Sequence, residues 1–400
     1  MRDGWSKRSL GDVATIYNGN SINAEEKKKR YLGQMQGLPF IATKDVGNDG
    51  VIDYENGVRI PNFKDFKVAY PNSVFVCAEG GSAGKKVAFI EREVCFGNKL
   101  FALQPKKHLL EGRYLYYFVQ SQAFKENFRQ LITGTIGGVS SKKFKEIPII
   151  LSPLPEQQRI VDLLDQEFAK IDALKANAEK SIQAAKDLFQ ATLKKELEPK
   201  EGWLNTTIGS LCEDVKYGTS KPSSSSGRYT YLRMNNITND GFLTLKDTKR
   251  IDITTEEEEK YLVHKGDILF NRTNSRELVG KTCVFQEEEP MVIAGYIIRL
   301  RVKKDVNPYL ISFYINYKPV REELRKLSVG AVHQSNISAR TIQSFRIALP
   351  TSIEEQDRIV DVLSCTFHKL SLLQQNYQKT LALCDDLKQA LLRKAFNGEL

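Results

Sequence analysis

Histidine is scarce in this chain. Four residues, His108, His264, His333 and His368, are scattered over 400 positions, and none has a neighbour at metal-ligand spacing. That argues against a histidine-based or zinc-based active centre. The six cysteines (Cys77, Cys95, Cys212, Cys283, Cys365 and Cys384) show no close pairing, which argues against a disulfide framework and a cysteine zinc site. They read as reduced, small buried residues. No stretch approaches the roughly 20 apolar residues needed to span a bilayer. The opening residues Met1 to Trp5 are not followed by the apolar run of a secretion signal, so the expectation is a soluble, cytoplasmic protein with no membrane partner.

Nucleotide-binding loops are lacking too. Gly80-Gly81-Ser82-Ala83-Gly84-Lys85-Lys86 has neither the first glycine at the right distance nor the closing Ser or Thr of a P-loop, and Ser275 stands where Ser275 to Thr282 would need its first glycine. Asn307-Pro308-Tyr309-Leu310 is one proline short of the box found in adenine methyltransferases, and no glycine-rich turn suited to a nucleoside cofactor precedes it. It reads as a helix cap followed by a first-turn proline. The run Glu256 to Glu259 beside Lys260 reads as a solvated helix start. The expectation is a chain that is not an enzyme and holds no cofactor and no metal.

What is present is a repeat. Glu156-Gln157-Gln158-Arg159-Ile160-Val161-Asp162 returns as Glu355-Gln356-Asp357-Arg358-Ile359-Val360-Asp361, 199 positions later and half a chain away. The same offset lays Ile160, Leu164, Phe168, Ile171, Leu174 and Ala178 on Ile359, Leu363, Phe367, Leu370, Leu373 and Tyr377. Spacings of three and four make each series one apolar stripe along a helix. Pro155 sits where a first-turn proline is tolerated and Pro199 stops the first helix, so helices are expected over about 155–198 and 353–396. At 1.5 Å per residue each would reach roughly 65 Å, longer than a small domain is wide. Matched stripes of that length predict a paired, coiled-coil-like spacer, with packing of each stripe on its own domain as the alternative.

The blocks before the helices are related more loosely. Gly4-Trp5 is echoed by Gly202-Trp203, and Asn48-Asp49-Gly50 by Asn239-Asp240-Gly241. Short strands such as Val74 to Val76, Val87 to Ile90, Ile268 to Phe270 and Tyr296 to Leu300 are broken by Gly, Asn and Pro turns. A helix is expected near Tyr114 to Gln130 and another near Pro308 to Leu327. The fold class is therefore α+β. Two mixed, mainly β domains span 1–152 and 200–349, and the helical segments span 153–199 and 350–400.

Lys and Arg exceed Asp and Glu by 59 to 49, a net charge of +10, which fits a polyanion partner without requiring one. Three pairs of loops carry the residue types that grip phosphates and read base edges. Thr43-Lys44-Asp45 matches Arg233-Met234-Asn235-Asn236. The glycine-rich loop ending in Lys85 and Lys86 matches Asn271-Arg272-Thr273-Asn274-Ser275-Arg276, which leads to Lys281. The loop from Gly134 to Ser140, Ser141, Lys142 and Lys143 matches the one from Gly330 through His333, Gln334, Ser335 and Asn336 to Arg340. Ordinary surface turn chemistry is the alternative for any one of them.

With its Gly-Trp starts, its Gly-rich polar loops leading to Ile147-Pro148 and Ile347-Ala348-Leu349-Pro350, and its Glu-Gln boxes heading long helices, the whole chain resembles the specificity subunit of type I restriction-modification systems. The resemblance implies two target-recognition domains in an internal pseudo-twofold repeat on two long antiparallel coiled-coil helices, each domain reading one half of an interrupted double-stranded DNA site. It further implies that the helices, with Glu156, Gln157, Arg159, Glu355, Gln356 and Arg358, dock two modification subunits. S-adenosylmethionine would sit on those subunits, and ATP and Mg on the restriction (translocase and nuclease) subunits. Two other readings stay open: a self-sufficient DNA-modifying enzyme, and a coiled-coil scaffold whose paired domains bind proteins.

Overall fold

The computed structural model describes residues 4–133, 137–331 and 334–400. Two compact units emerge, Met1–Ala178 with Gln378–Leu400, and Glu179–Tyr377. Each unit holds one globular part, one half of the first long helix and one half of the second.

The two main sheets of the globular parts repeat strand for strand. In the first, Ala14–Asn18, Leu100–Pro105, Val74–Cys77 and Val87–Phe89 form an antiparallel four-stranded sheet in that order. Beside it runs a second sheet ordered Arg59–Ile60, Leu38–Ile41, Val94–Phe96 and Val68–Ala69, in which Leu38–Ile41 and Val94–Phe96 are parallel. The second globular part has the same two sheets: Cys212–Tyr217, Ile297–Val302, Ile268–Asn271, Thr282–Val284, and Lys249–Ile251, Tyr229–Leu232, Met291–Ile293, Leu262–Val263. Central strands such as Val74–Cys77 and Ile268–Asn271 are buried on both faces, which explains their unbroken apolar runs. A two-stranded ribbon ties the start of each part to its end, Ser6–Ser9 with Pro148–Leu151 and Leu204–Thr207 with Arg346–Leu349.

Where one helix is expected near 114–130, the chain makes two, Gly112–Gln120 and Gln122–Gln130. Ser121 is extended between them (ψ 152°), and its hydroxyl accepts from the Phe124 N–H and donates to the Phe118 carbonyl. One small residue caps one helix and starts the next. The second unit breaks likewise at Tyr317, between Pro308–Asn316 and Lys318–Lys326. Asn307 is the cap and Pro308 the first-turn proline that the sequence indicates, with the Asn307 side chain accepting from the Tyr309 N–H at 2.9 Å. Glu256 to Glu259 lie in the short helix Thr255–Tyr261, capped by Thr254.

The long helices run Leu154–Leu197 and Ile353–Asn397. Their stripes serve both expected purposes. Ile160, Leu164, Phe168 and Ile171 join the first unit's own core, together with Leu392, Ala395 and Phe396 of the other helix. Within that unit the helices are antiparallel and linked by ion pairs, Lys175 to Asp385 at 2.7 Å and Lys388 to Asp172 at 2.5 Å. Within the second unit, Arg358 meets Glu196 at 3.3 Å and Phe189 meets Phe367 edge-on at 5.2 Å. One position departs from the stripe: the equivalent Leu174 and Leu373 are 54% and 41% exposed.

Candidate nucleic-acid interface

Loops far apart in sequence are joined in each globular part. In the second, Thr273 and Asn274 pair in antiparallel register with Asn336 and Ser335, and Val329–Ala331 completes a three-stranded sheet. In the first, Glu79 bridges to Gly138, the Gly80 N–H donates to the Gly137 carbonyl at 2.8 Å, and the Val139 N–H donates to the Ala78 carbonyl at 3.1 Å. The third loop is tied in by a lysine. Lys86 Nζ donates to the Thr43 carbonyl at 3.1 Å, and Lys281 Nζ to the carbonyls of Met234 (3.3 Å) and Ile237 (2.6 Å). All three candidate loops thus form one surface region in each part.

Burial divides the candidate residues. Lys44, Lys85, Ser140, Lys142, Lys143, Asn235, Arg276, Gln334 and Arg340 are exposed. Lys86, Ser141, Arg233, Arg272, Asn274, Ser275 and Asn336 are half-buried. Five expectations need correction, because Asn236, Asn271, Thr273, Lys281 and Ser335 are buried and face the chain itself. Asn236 accepts from the Arg233 N–H at 2.9 Å and donates to the carbonyls of Thr244 and Lys246, so it holds a turn. Burial, with Arg321 nearby, pushes the Lys281 ammonium below the usual lysine pKa, and its carbonyl bonds leave it unsuited to phosphate. Asn271 and Thr273 enclose side-chain polar atoms that have no partner among the described residues. His333 lies outside the described residues, as do Gly134, Thr135, Ile136 and Val332.

Among the candidate cations, two lysines stand exposed on a short helix and one half-buried arginine is oriented by its neighbours. Lys142 and Lys143 stand on the short helix Ser141–Lys145, which Ser140 caps and the buried Phe144 anchors. Arg272 lies over the Tyr217 ring at 4.8 Å and donates to the Gly295 carbonyl at 3.3 Å, which orients a planar donor at the surface. Tyr217 carries no signal in the sequence, since it is distant from Arg272 along the chain. The run Lys27-Lys28-Lys29-Arg30 lies outside the three loop pairs and is legible in the sequence only as a cluster of charge; three of its four residues are exposed, and Lys27 lies over Phe40 at 5.1 Å.

The model of the type I restriction modification DNA specificity domain matches residues 2–184 and again residues 200–381. This chain belongs to that family. It is similar over its full length to the type I restriction enzyme EcoKI specificity subunit of Escherichia coli (strain K12), with 26% identity over 423 residues and 90% of that protein covered. The StySPI specificity subunit of Salmonella potsdam is also 26% identical, over 427 residues, again with all of this chain and 90% of that protein covered. Two solved structures share the fold. One chain from a study of complex assembly and conformational transition of the type I R-M system superimposes with a TM-score of 0.78 at 19% identity, covering 100% of this chain and 99% of that one. The HsdS subunit from Thermoanaerobacter tengcongensis gives 0.54 at 20% identity, covering 100% and 98%. The protein is a DNA specificity subunit, the non-catalytic component of type I restriction-modification enzymes. Among the described residues no helix is long and apolar enough to cross a membrane.

The Glu-Gln boxes of this specificity subunit do two different things. Gln157 is fully buried; its amide oxygen accepts from the Glu111 N–H at 2.9 Å, and its amide nitrogen donates to the carbonyls of Leu109 (2.8 Å) and Ser152 (2.7 Å). Gln356 repeats this with the Asn307 N–H and the carbonyls of Asp305 and Pro350. Both glutamines are spent on fastening a helix start to its globular part, which corrects the expectation that they meet a partner. The flanking side chains are accessible. Arg159 forks onto Glu156 with two 2.8 Å bonds, and Arg358 onto Glu355 with bonds of 2.7 and 2.8 Å.

Proposed function

We propose that each globular part of this specificity subunit reads one half of a bipartite, interrupted site on double-stranded DNA, using its three joined loops. The carrying observation is the same loop assembly built twice on one fold with different side chains: glycines and lysines in the first part, Arg272, Asn274, Gln334 and Asn336 in the second. Phosphates are gripped by Lys44, Lys85, Lys142 and Lys143 in the first and Arg276 and Arg340 in the second, and the half-buried, oriented Arg272 and Asn274 read base edges. The helices, through Glu156, Arg159, Glu355, Arg358 and the outward-facing Leu174 and Leu373, dock two methyltransferase (modification) subunits. S-adenosylmethionine belongs to those subunits, and ATP and Mg to the restriction subunits that complete the complex in the cytoplasm.

The test is to co-express the chain with its modification subunit and map methylated adenines across the host genome. A bipartite motif is expected. With Arg272 and Asn274 replaced by alanine, one half-site should relax, at about 1–3 kcal/mol for each bidentate pair removed, while the other is unchanged. Changes in both half-sites together would refute the assignment of that loop to one recognition domain. No DNA affinity at low salt with the partner present would favour a protein-binding scaffold.

A further inference from the structure

Because the two units share one fold, differences at equivalent positions mark what one unit does alone. In the first unit Tyr116 packs against Phe89 and Tyr117, and its hydroxyl sits 2.5 Å from where a Cβ on Gly50 would be. Tyr117 lies edge-on to Phe168 at 5.2 Å, and Lys388 Nζ covers the Phe168 ring at 4.8 Å. Tyr117 and Phe168 thus bring globular part and helix together there through ring contact.

In the second unit the residue at the place of Tyr116, 196 positions on, is Ser312, and a cavity of about 410 Å³ opens there. Aromatic rings line it. Phe242 stacks on Phe367 at 4.5 Å, and Phe189, at the place of Lys388, meets Phe367 at 5.2 Å and Phe313 at 6.3 Å. These four rings are only half-buried, unlike the packed phenylalanines of the cores.

The charge pattern is reversed as well. In the first unit Lys125 is attracted by Asp385. Their equivalents in the second unit are Arg321 and Lys186, so the counter-ion has become another cation. Lys186, Lys318, Arg321 and Arg325 line the cavity against only Asp187 and Asp240. Arg321 has an enclosed Nε with no hydrogen-bond partner among the described residues. Burial and then Arg325 bring its pKa down to about 10, opposed only by Asp240, so it is still charged at neutral pH.

We propose that this cavity binds a small planar anion, an aromatic or heteroaromatic ring bearing a phosphate or carboxylate, with the ring against Phe189, Phe242 and Phe367 and the anionic group on Arg321. The volume is within the range of small-molecule sites, and aromatic walls with an unspent guanidinium match that chemistry. Phe242 and Arg321 belong to the globular part and Phe189 and Phe367 to the helices. An occupant therefore bridges the two.

The probes are adenosine 5′-monophosphate and 2-naphthoate, titrated into the full chain by saturation-transfer NMR, with adenosine and 2-naphthol as uncharged counterparts. At least one anion should bind saturably and about ten-fold or more tighter than its uncharged counterpart, as a charged hydrogen bond requires. Arg321→Gln should weaken that binding by about ten-fold or more without lowering the Tm. Ser312→Tyr, which puts the side chain that the first unit has at Tyr116 into the cavity, should abolish it; if that variant fails to fold, Arg321→Gln alone decides. Absence of binding by both anions, equal binding of the uncharged counterparts, or unchanged affinity in Arg321→Gln overturns the proposal.

Discussion

Adjacent residues of one type have opposite fates here. Asn235 is exposed and Asn236 fully buried, with its amide closed on the carbonyls of Thr244 and Lys246. Composition marks both as base readers, and only the three-dimensional turn separates them. The Gln of the Glu-Gln box gives the sharper test. Replacing Gln157 with alanine strands the Glu111 N–H and the carbonyls of Leu109 and Ser152, which are the three groups it now satisfies. Buried groups left without partners cost about 1–3 kcal/mol each when not rehydrated, so a loss on the order of 3 kcal/mol is expected. That corresponds to a fall in Tm of roughly 6–12 °C, checked by calorimetry on the chain alone. An unchanged Tm together with failure to bind the modification subunit would return Gln157 to the docking surface.

Elements are legible in proportion to their periodicity. The long helices show their stripes in sequence because residues three and four apart share a face for many turns, and Leu154–Leu197 ends just before Pro199 as a proline stop demands. The break at Ser121 is invisible there, since serine is also compatible with a helix interior and the decisive bond to the Phe124 N–H exists only after folding. The joining of the loops at 271–276 and 334–340 is equally hidden, because strand pairing across some sixty residues leaves no local trace. For the short helix Ser141–Lys145, anchored by Phe144, function should separate from stability. Lys142 and Lys143 are exposed on that helix, away from its buried anchor, so neutralising both should leave the Tm unchanged. Binding to all DNA sequences should weaken similarly, and the slope of log affinity against log salt should fall by about one unit for each phosphate no longer neutralised. An unaltered slope in a salt titration would make these lysines solvated surface.

At the scale of the whole chain, each unit holds one half of both long helices, and the proposed reading makes the two helices jointly the spacer between its two recognition domains. Lengthening one helix alone would misalign the ion pairs of Lys175 with Asp385 and of Arg358 with Glu196. Four residues should therefore be inserted in both, near Ala176 to Ala178 and near Gln375 to Tyr377, the points where the helices pass from one unit to the other. Each insertion adds roughly 6 Å at 1.5 Å per residue. It rotates the stripe by only about 40°, a stutter that paired helices absorb by local unwinding. DNA advances roughly 3.4 Å per base pair, so the added length corresponds to between one and two base pairs once bending takes up part of it. Mapping of methylated adenines should then show both half-sites unchanged and the spacer longer by one or two base pairs. If the half-site bases change and the spacer stays as it was, the helices do not set the distance between the two sites that are read.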